Sequence, residues 1–421
     1  MVDVRNLVVV GGGSSALQTS HYIAKYLLPL LKNKDRGVHY HLYMIAPSSD
    51  WFFRIASPRV ATSTSLLSAE RVFAPFADVF GQYSKEDVTW IQATATGLNH
   101  SARLVGYKRK DGKEEVQLQY HALIVATGSR TYYPAFSTWT DKETTLAAIE
   151  TTNAAAAAAK TIVISGGGAT GVEVAGELGD FLNGRPGWFS KPPPRKVNIT
   201  LLTSAQQLLP TVRKAIGDEA ERKLNTLGVD VRYSTRVTDA RKEQDGRTTL
   251  TLANGETIMT DLYIPAHGVQ PNSSWLPPDL LTDKKYLNTN KQTLRVDIAG
   301  PRVYALGDVS SYSRNTVLDI VDALPVLATN LKRDLLSYDA KQPDRAAPGT
   351  DRSFKPNTKE MLFVPIGTAT GAGVLFGFRV PGFFVWLLKG RDYFIGMSFA
   401  STATGSGVKE VKWTKEEAVS F

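Results

Sequence analysis

At 421 residues, 43% hydrophobic and 21% charged, the chain has the composition of a soluble folded protein with room for about two or three domains. Lys and Arg outnumber Asp and Glu by 49 to 40, a formal charge of +9. That excess suits anionic cofactors or acidic lipid, but the basic residues are scattered. No dense basic run with interleaved aromatics marks a nucleic-acid face, so nucleic acid is not an expected partner. The absence of cysteine excludes structural disulfides, thiolate metal sites and any electron relay through a protein disulfide. The six histidines lack metal spacing, and no metal is expected; His39 and His41 alternate and are expected on one exposed face of a strand.

In chain order, Leu7 to Val10 reads as a strand, Gly11-Gly12-Gly13 as a turn, and Ser14 to about Leu31 as an amphipathic helix. "HLYMI" (41–45) is the next strand, completing a βαβ unit. Residues 50–83 read as aromatic and loop-like, and the stretch up to "ALIVATG" as a short antiparallel excursion ending in a buried strand. The alanine run at 154–159 predicts a helix, with a low-complexity linker as the alternative. From Thr161 the pattern repeats: "TIVIS", glycines, a helix to about Leu182, a Pro-rich loop at 191–195 and the strand "VNITLLT". An alternating segment (229–264) closes this second unit, with "NGE" (254–256) as a hairpin turn.

Gly11, Gly13 and Ala16 fit the G-x-G-x-x-G/A spacing. The first glycine permits the tight turn, the second lets backbone approach a pyrophosphate, and the small third residue lets helix pack on strand. The helix N-terminus then offers amides and partial positive charge to the phosphates, although such turns also occur without a ligand. The acid that commonly ends the second strand and binds ribose hydroxyls is absent, since "LYMI" runs into Ala46-Pro47; either Ser48 or Asp50 replaces it or the contact is lost. The second turn, Gly166, Gly168 and Gly171, matches in full. Gly171, Ala175 and Gly179 recur every fourth residue, a stripe on which the helix lies close to the sheet. Glu173 projects away from that stripe in the first helical turn, beside a nucleotide; the alternative is a plain acid stabilised by the helix dipole. The following strand ends at Thr203-Ser204, again without an acid that would repel a 2′-phosphate, so NADPH is permitted beside NADH. Arg213 and Lys214 lie downstream, either near such a phosphate or as solvated charges.

Two further segments, "ALIVATGSR" (122–130) and "RVYALGDVSSY" (302–312), place strands against a Thr-Gly turn and against Gly307-Asp308. In this order the four motifs resemble the two-dinucleotide flavoprotein superfamily. The resemblance implies an α/β fold with two Rossmann-like dinucleotide-binding domains, the FAD domain being split by an inserted NAD(P)H domain, plus a small C-terminal α+β domain. The corresponding boundaries are 1–135 and 259–344 for FAD, 136–258 for NAD(P)H and 345–421 for the last domain. Three more segments, "DWFFRIASPRVA" (50–61), "AHGVQPNSSWL" (266–276) and "GFRVPGFFVWLLKGRDYF" (377–394), narrow the likeness. They resemble the apoptosis-inducing-factor-like flavoproteins of the ferroptosis-suppressor type, related to type II NADH dehydrogenases, which reduce quinones with NAD(P)H through FAD.

By that resemblance FAD is held by Gly11, Gly12, Gly13, Ser14, Ser15, Ala16, Arg59, Ala126, Thr127, Gly128, Gly307 and Asp308. NADH or NADPH is held by Gly166, Gly168, Ala169, Thr170, Gly171, Glu173, Thr203 and Gly268. Glu173 of the G-V-E sequence and Lys389 of the K-x-R-D sequence are implied as catalytic residues near flavin and nicotinamide. His267 stands where the family usually has threonine. The implied activity passes hydride from NAD(P)H to FAD and electrons directly on to a quinone-like acceptor. A biosynthetic flavoenzyme acting on one metabolite, and a flavoprotein that binds nucleic acid or protein without catalysis, remain the alternatives.

"GFFVWLL" (382–388) is far below the roughly 20 residues of a membrane span. It reads as a quinone entrance or membrane-surface contact, or as a core element packed on the flavin domain or a dimer partner; Lys389 beside it reads either as a flavin neighbour or as a surface lysine. An apolar strand beginning by Leu7 leaves no room for a signal peptide, and Val2 after Met1 excludes N-myristoylation. The expectation is a cytoplasmic protein, peripheral at a membrane surface if it touches one, with a homodimer left open.

Overall fold

The computed structural model describes residues 3–112, 114–187 and 191–419. The strands β1 (Asp3–Val10), β2 (Val38–Ala46), β3 (Val88–Asn99), β4 (Leu104–Arg109), β5 (Glu115–Gln119) and β6 (Ala122–Val125) build the first sheet. Leu7 to Val10 and the whole of β6 are buried, as central strands covered on both faces must be, and both are β-branched or aliphatic. β1 runs parallel to β2 and β6; β3 starts parallel to β2 and then pairs antiparallel with β4, which in turn pairs antiparallel with β5.

A second sheet is entirely parallel: β7 (Thr161–Ser165), β8 (Asn198–Leu202), β9 (Val229–Arg232) and β10 (Leu262–Pro265), in spatial order β9-β8-β7-β10. Its strand β10 lies past residue 258, so the sheet runs beyond the boundary expected there. Only after this unit does the chain return, as β11 (Val303–Ala305), to pair with β6 at the edge of the first sheet. The first domain is therefore split around the second. A three-stranded antiparallel sheet, 237–260, carries the expected hairpin between Thr248–Leu252 and Thr257–Thr260.

Helix α1 (Ser14–Tyr22) follows the first glycine turn and continues through a π-helical segment to Lys34. The stretch 50–83, expected as loop, instead holds a strand at Asp50–Phe52, helix α2 (Ser57–Thr62) and further short elements. Trp51, Phe53 and Phe76 are buried there, and Trp51 stacks on Phe399 at 5.3 Å. Burial of aromatics, rather than periodicity, makes this stretch regular. The alanine run lies in α3 (Lys142–Ala158), capped by the Asp141 carboxylate accepting from the Thr144 amide. Helix α4 (Ala169–Leu178) follows the second turn.

The chain ends in an antiparallel sheet of Met361–Ile366, Thr370–Leu375 and Phe378–Val380, followed by short helical segments between Gly382 and Ala403. Gly176 lets this sheet close on α4: a Cβ there would lie 2.8 Å from the Ile366 Cα. His39 and His41 do share a face, with rings 5.9 Å apart, but His41 is buried, bonding the Glu86 carbonyl and Thr89 Oγ1. The exposed face expected for the pair is corrected accordingly.

Candidate functional site

Both glycine turns are built in the same way. The Gly11 amide donates to the Ile45 carbonyl and the Gly166 amide to the Leu202 carbonyl, each at 2.8 Å. Gly11 (φ +137°) and Gly166 (φ +130°) adopt backbone that side chains avoid, and a Cβ would lie 2.2 Å from the Ala126 carbonyl oxygen or 2.5 Å from that of Ala266. Around Gly13 and Gly168, by contrast, a Cβ would meet nothing within 4 Å. No side chain caps either helix that follows. Open space against uncapped first-turn amides is the arrangement a pyrophosphate fills, so the residues present fit two dinucleotides.

The repeat extends to the neighbouring strand ends. Ala126-Thr127-Gly128 follows β6 beside the first turn, and Ala266-His267-Gly268 follows β10 beside the second, with Gly128 and Gly268 at φ +65° and +63°. Asn272 ties the two ends together: its side chain donates to the Thr127 carbonyl at 2.9 Å, and Thr127 Oγ1 donates to the Asn272 carbonyl at 2.7 Å. Gly307 (φ +83°) comes from the far part of the split domain, where a Cβ would lie 2.3 Å from Ser15 Oγ. Asp308 accepts from Ser129 Oγ at 2.8 Å, and Arg54 approaches it at 3.7 Å while donating to the Ser129 carbonyl at 3.1 Å. Sequence reasoning passed over Arg54, although it lies in the quoted 50–61 segment; only the folded chain places it beside Asp308.

Glu173 and Lys389, far apart in sequence, meet as an ion pair at 2.5 Å with side chains only 4% and 13% exposed. Burial pushes the Glu173 carboxyl above its ordinary range, and Lys389 opposes this. Of the alternatives for Lys389, the surface lysine is thereby corrected. One helical turn along α4, Glu177 is also buried and accepts from Arg59 Nε at 2.9 Å and from its terminal nitrogen at 2.7 Å. Tyr393 Oη donates to the same carboxylate at 3.0 Å. The remaining Arg59 nitrogen donates to the Arg391 carbonyl at 3.1 Å, so all three nitrogens of this residue, expected beside FAD, are held by protein. Glu177 and Tyr393 were also missed; the available signal was a second acid four residues after Glu173, on the same helical face.

Thr203 is buried against the middle glycine of its turn, where a Cβ on Gly167 would lie 2.6 Å from Thr203 Oγ1. Ala46 occupies the same place beside Gly12 in the first turn. Of the candidates for the missing ribose acid, Asp50 is buried and bound to Lys142 at 2.9 Å, and Ser48 Oγ donates to the Asp50 carbonyl. Arg213 is ion-paired with Glu360 and Lys214 with Asp218, all four side chains being partly or largely exposed. No group of acids and histidines among the described residues could hold a metal ion.

Two pyrophosphate turns, joined through a shared strand end and closed by a Gly-Asp pair, define an oxidoreductase with two dinucleotide sites. The chain belongs to the pyridine nucleotide-disulphide oxidoreductase family, whose model matches residues 5–325. It is 42% identical over 399 residues to oxidoreductase phnG of Penicillium herquei, covering 93% of this chain and 94% of that protein. It is 30% identical to oxidoreductase ptaL of Pestalotiopsis fici (92% and 95% covered) and 23% identical to ferroptosis suppressor protein 1 of Taeniopygia guttata (93% and 94%). The structure of NDH2 from Plasmodium falciparum in complex with NADH superposes with a TM-score of 0.65 at 15% identity, covering 94% of this chain and 98% of that one. FAD and NAD(P)H are the cofactors of this family. The disulphide in the family's name has no counterpart here, since the chain has no cysteine.

Proposed function

We propose that this FAD-dependent pyridine nucleotide oxidoreductase delivers its electrons to a quinone-like, apolar acceptor. One observation carries the reading: a single helical segment presents Lys389 inward to Glu173 and apolar rings outward. Phe383 and Phe384 are 59% and 50% exposed, too open to be core, and Phe378 on the adjoining strand is 77% exposed. Phe383 lies 5.8 Å from Phe384 and 5.7 Å from Trp386, ring to ring.

FAD held at the first turn would supply the two-electron chemistry, as hydride acceptor toward NAD(P)H and electron donor toward the acceptor. Reduction of a quinone to a quinol consumes two electrons and two protons. Hydride supplies both electrons and one proton, and the second proton comes from solvent through an ionisable group. The Glu173 carboxyl, hydrogen-bonded to Lys389 Nζ, which itself lies 3.3 Å from the Phe363 carbonyl, can take up that proton from solvent and release it toward the acceptor. The α4 amides and the open face of Gly168 bind and orient the reducing nucleotide.

Anaerobic NADH or NADPH should bleach the flavin band of the purified holoprotein, and steady-state turnover should be fastest with members of a quinone panel. Bleaching accompanied by turnover of one particular metabolite, with simple quinones left unreduced, overturns the acceptor. Glu173→Gln should slow flavin reduction or acceptor turnover by about 100-fold with FAD retained; unchanged rates leave Glu173 as a helix-end acid. The same apolar face, with Lys359 over the Phe376 ring at 5.5 Å, is the proposed contact of an otherwise cytoplasmic protein with an anionic membrane surface. Co-sedimentation with anionic vesicles that survives Phe383→Ser with Phe384→Ser would rule that contact out.

A further inference from the structure

Arg59, Glu177 and Tyr393 have no part in the reaction just described, yet they form the most completely satisfied charged cluster near it. The Glu177 carboxylate accepts three hydrogen bonds, two from Arg59 and one from Tyr393. The Tyr393 ring lies between the two cations, 4.8 Å from the Arg59 guanidinium and 5.6 Å from Lys389 Nζ. The Tyr393 amide donates to the Lys389 carbonyl at 2.6 Å, so the tyrosine is bound directly to the segment that carries the lysine. Tyr393 and Phe394 both adopt left-handed backbone, φ +55° and +66°. Two such residues in succession persist only where the surroundings over-determine them.

Arg59 is anchored in α2, whereas Lys389 is a long side chain on a short π-helical segment and loses rotamer freedom when fixed. A buried ion pair offsets its desolvation only when the geometry is good. We propose that Tyr393 is a positioning residue: bonded to the Arg59-held Glu177, it latches the 386–394 segment onto α4 and keeps Lys389 on Glu173. The inference rests on the reading that the Glu173–Lys389 pair serves the redox site. It adds a second buried acid whose work is mechanical. The groups facing Glu173 are Lys389, Glu177 and Arg59, with Tyr393 between them and Asp180 further along the helix, near Arg59.

Tyr393→Phe keeps the ring and removes only the hydroxyl, so it tests the latch in the FAD-bound protein. Reductive methylation followed by peptide mass spectrometry should find Lys389 protected in the parent protein and modified at least ~5-fold faster in the variant, since a 1 kcal/mol loosening corresponds to about that factor. In stopped-flow reduction by NADH or NADPH, the limb of the pH profile set by Glu173 should move to higher pH, because a carboxyl losing a neighbouring cation titrates later. FAD content should stay at the parent level. Lys389 labelling at the parent rate together with an unmoved pH profile overturns the latch. If Tyr393→Phe does not retain FAD, Glu177→Gln must expose Lys389 to labelling in the same way, and labelling at the parent rate there overturns the latch. Its pH profile is not the readout, because removing the Glu177 charge by itself moves the Glu173 limb to lower pH. Glu173→Gln run in parallel separates the readings: unchanged flavin reduction there removes the role of the pair, while the labelling result still decides the latch.

Discussion

Gly11 and Gly166 sit in turns that match down to the hydrogen bond, each amide held at 2.8 Å by the carbonyl of the neighbouring strand. What converges on the two turns differs. The first is met from the far side of the chain by Gly307, closing on Ser15. The second is met by its own loop, the Leu209 amide donating to the Gly167 carbonyl at 2.7 Å. A ligand gripped by both halves of a split domain is suited to permanent residence, and one lying on a single continuous unit to exchange. The helices that follow diverge as well. The helix begun by α1 reaches the C-terminal segment by donating to its backbone carbonyls, His21 to Ala403 at 2.9 Å and Lys25 to Gly405 at 2.7 Å, whereas α4 reaches it through the buried carboxylates of Glu173 and Glu177.

The hardest way to break this comparison is to add a methyl group to either turn. Gly11→Ala forces a Cβ to 2.2 Å from a backbone oxygen at φ +137°, and should cost about 3 kcal/mol or more. FAD content and thermal unfolding are expected to fall together. Gly166→Ala strains the second turn in the same manner, but should leave the flavin in place while weakening NADH and NADPH at least ~10-fold in equilibrium titrations. Loss of FAD from the second variant with retention in the first would reverse the assignment of the turns.

Acid sharpens the difference between the helices. A carbonyl can only accept, so His21 Nε2 carries the proton toward Ala403, and Nδ1 accepts from Tyr83 Oη at 2.6 Å. Burial pushes this imidazole down to about 4. The folded state thus binds fewer protons than the unfolded chain between the ordinary histidine value and that one. Its contribution, up to about 3 kcal/mol, is complete above neutral pH and lost as pH falls toward 4. Glu173, pushed up by burial, works in the opposite sense, because taking up a proton there favours the folded state. Hydrogen exchange corrected for its intrinsic pH dependence should therefore accelerate, between pH 7 and 5, first in residues 400–408 and not in 386–394. Equal acceleration in both segments would mean the two attachments do not differ in kind.

The turns were legible in the sequence because they rest on local spacing, glycines where backbone must close. The split domain and the placing of Glu173 and Lys389 near the flavin came only through the family resemblance, and nothing in the sequence paired the two residues with each other. The 50–83 stretch was not, because its short elements are held by buried Trp51 and Phe76 rather than by any period of their own. Arg59 could be singled out by position, but its partner Glu177 is 118 residues away and Tyr393 a further 216, and no spacing encodes such contacts. Arg213 could be read either as a phosphate neighbour or as a solvated charge, and its partner Glu360, 147 residues away, was likewise not encoded by any spacing.

The smallest expected effect concerns the residue behind each middle glycine. Thr203 fills that place in the second turn and Ala46 in the first, and neither is acidic. Thr203→Glu puts a carboxylate where the adenosine ribose of the reducing nucleotide would lie, accepting from its hydroxyls but repelling a 2′-phosphate. The affinity for NADPH should fall about tenfold relative to NADH, a difference near 1.4 kcal/mol, in paired titrations of the FAD-bound protein. Ala46→Glu makes the equivalent change beside the first turn, where FAD carries no 2′-phosphate, and should leave the NADPH to NADH ratio at its parent value. A ratio that moves with Ala46→Glu and not with Thr203→Glu would place the reducing nucleotide on the wrong turn.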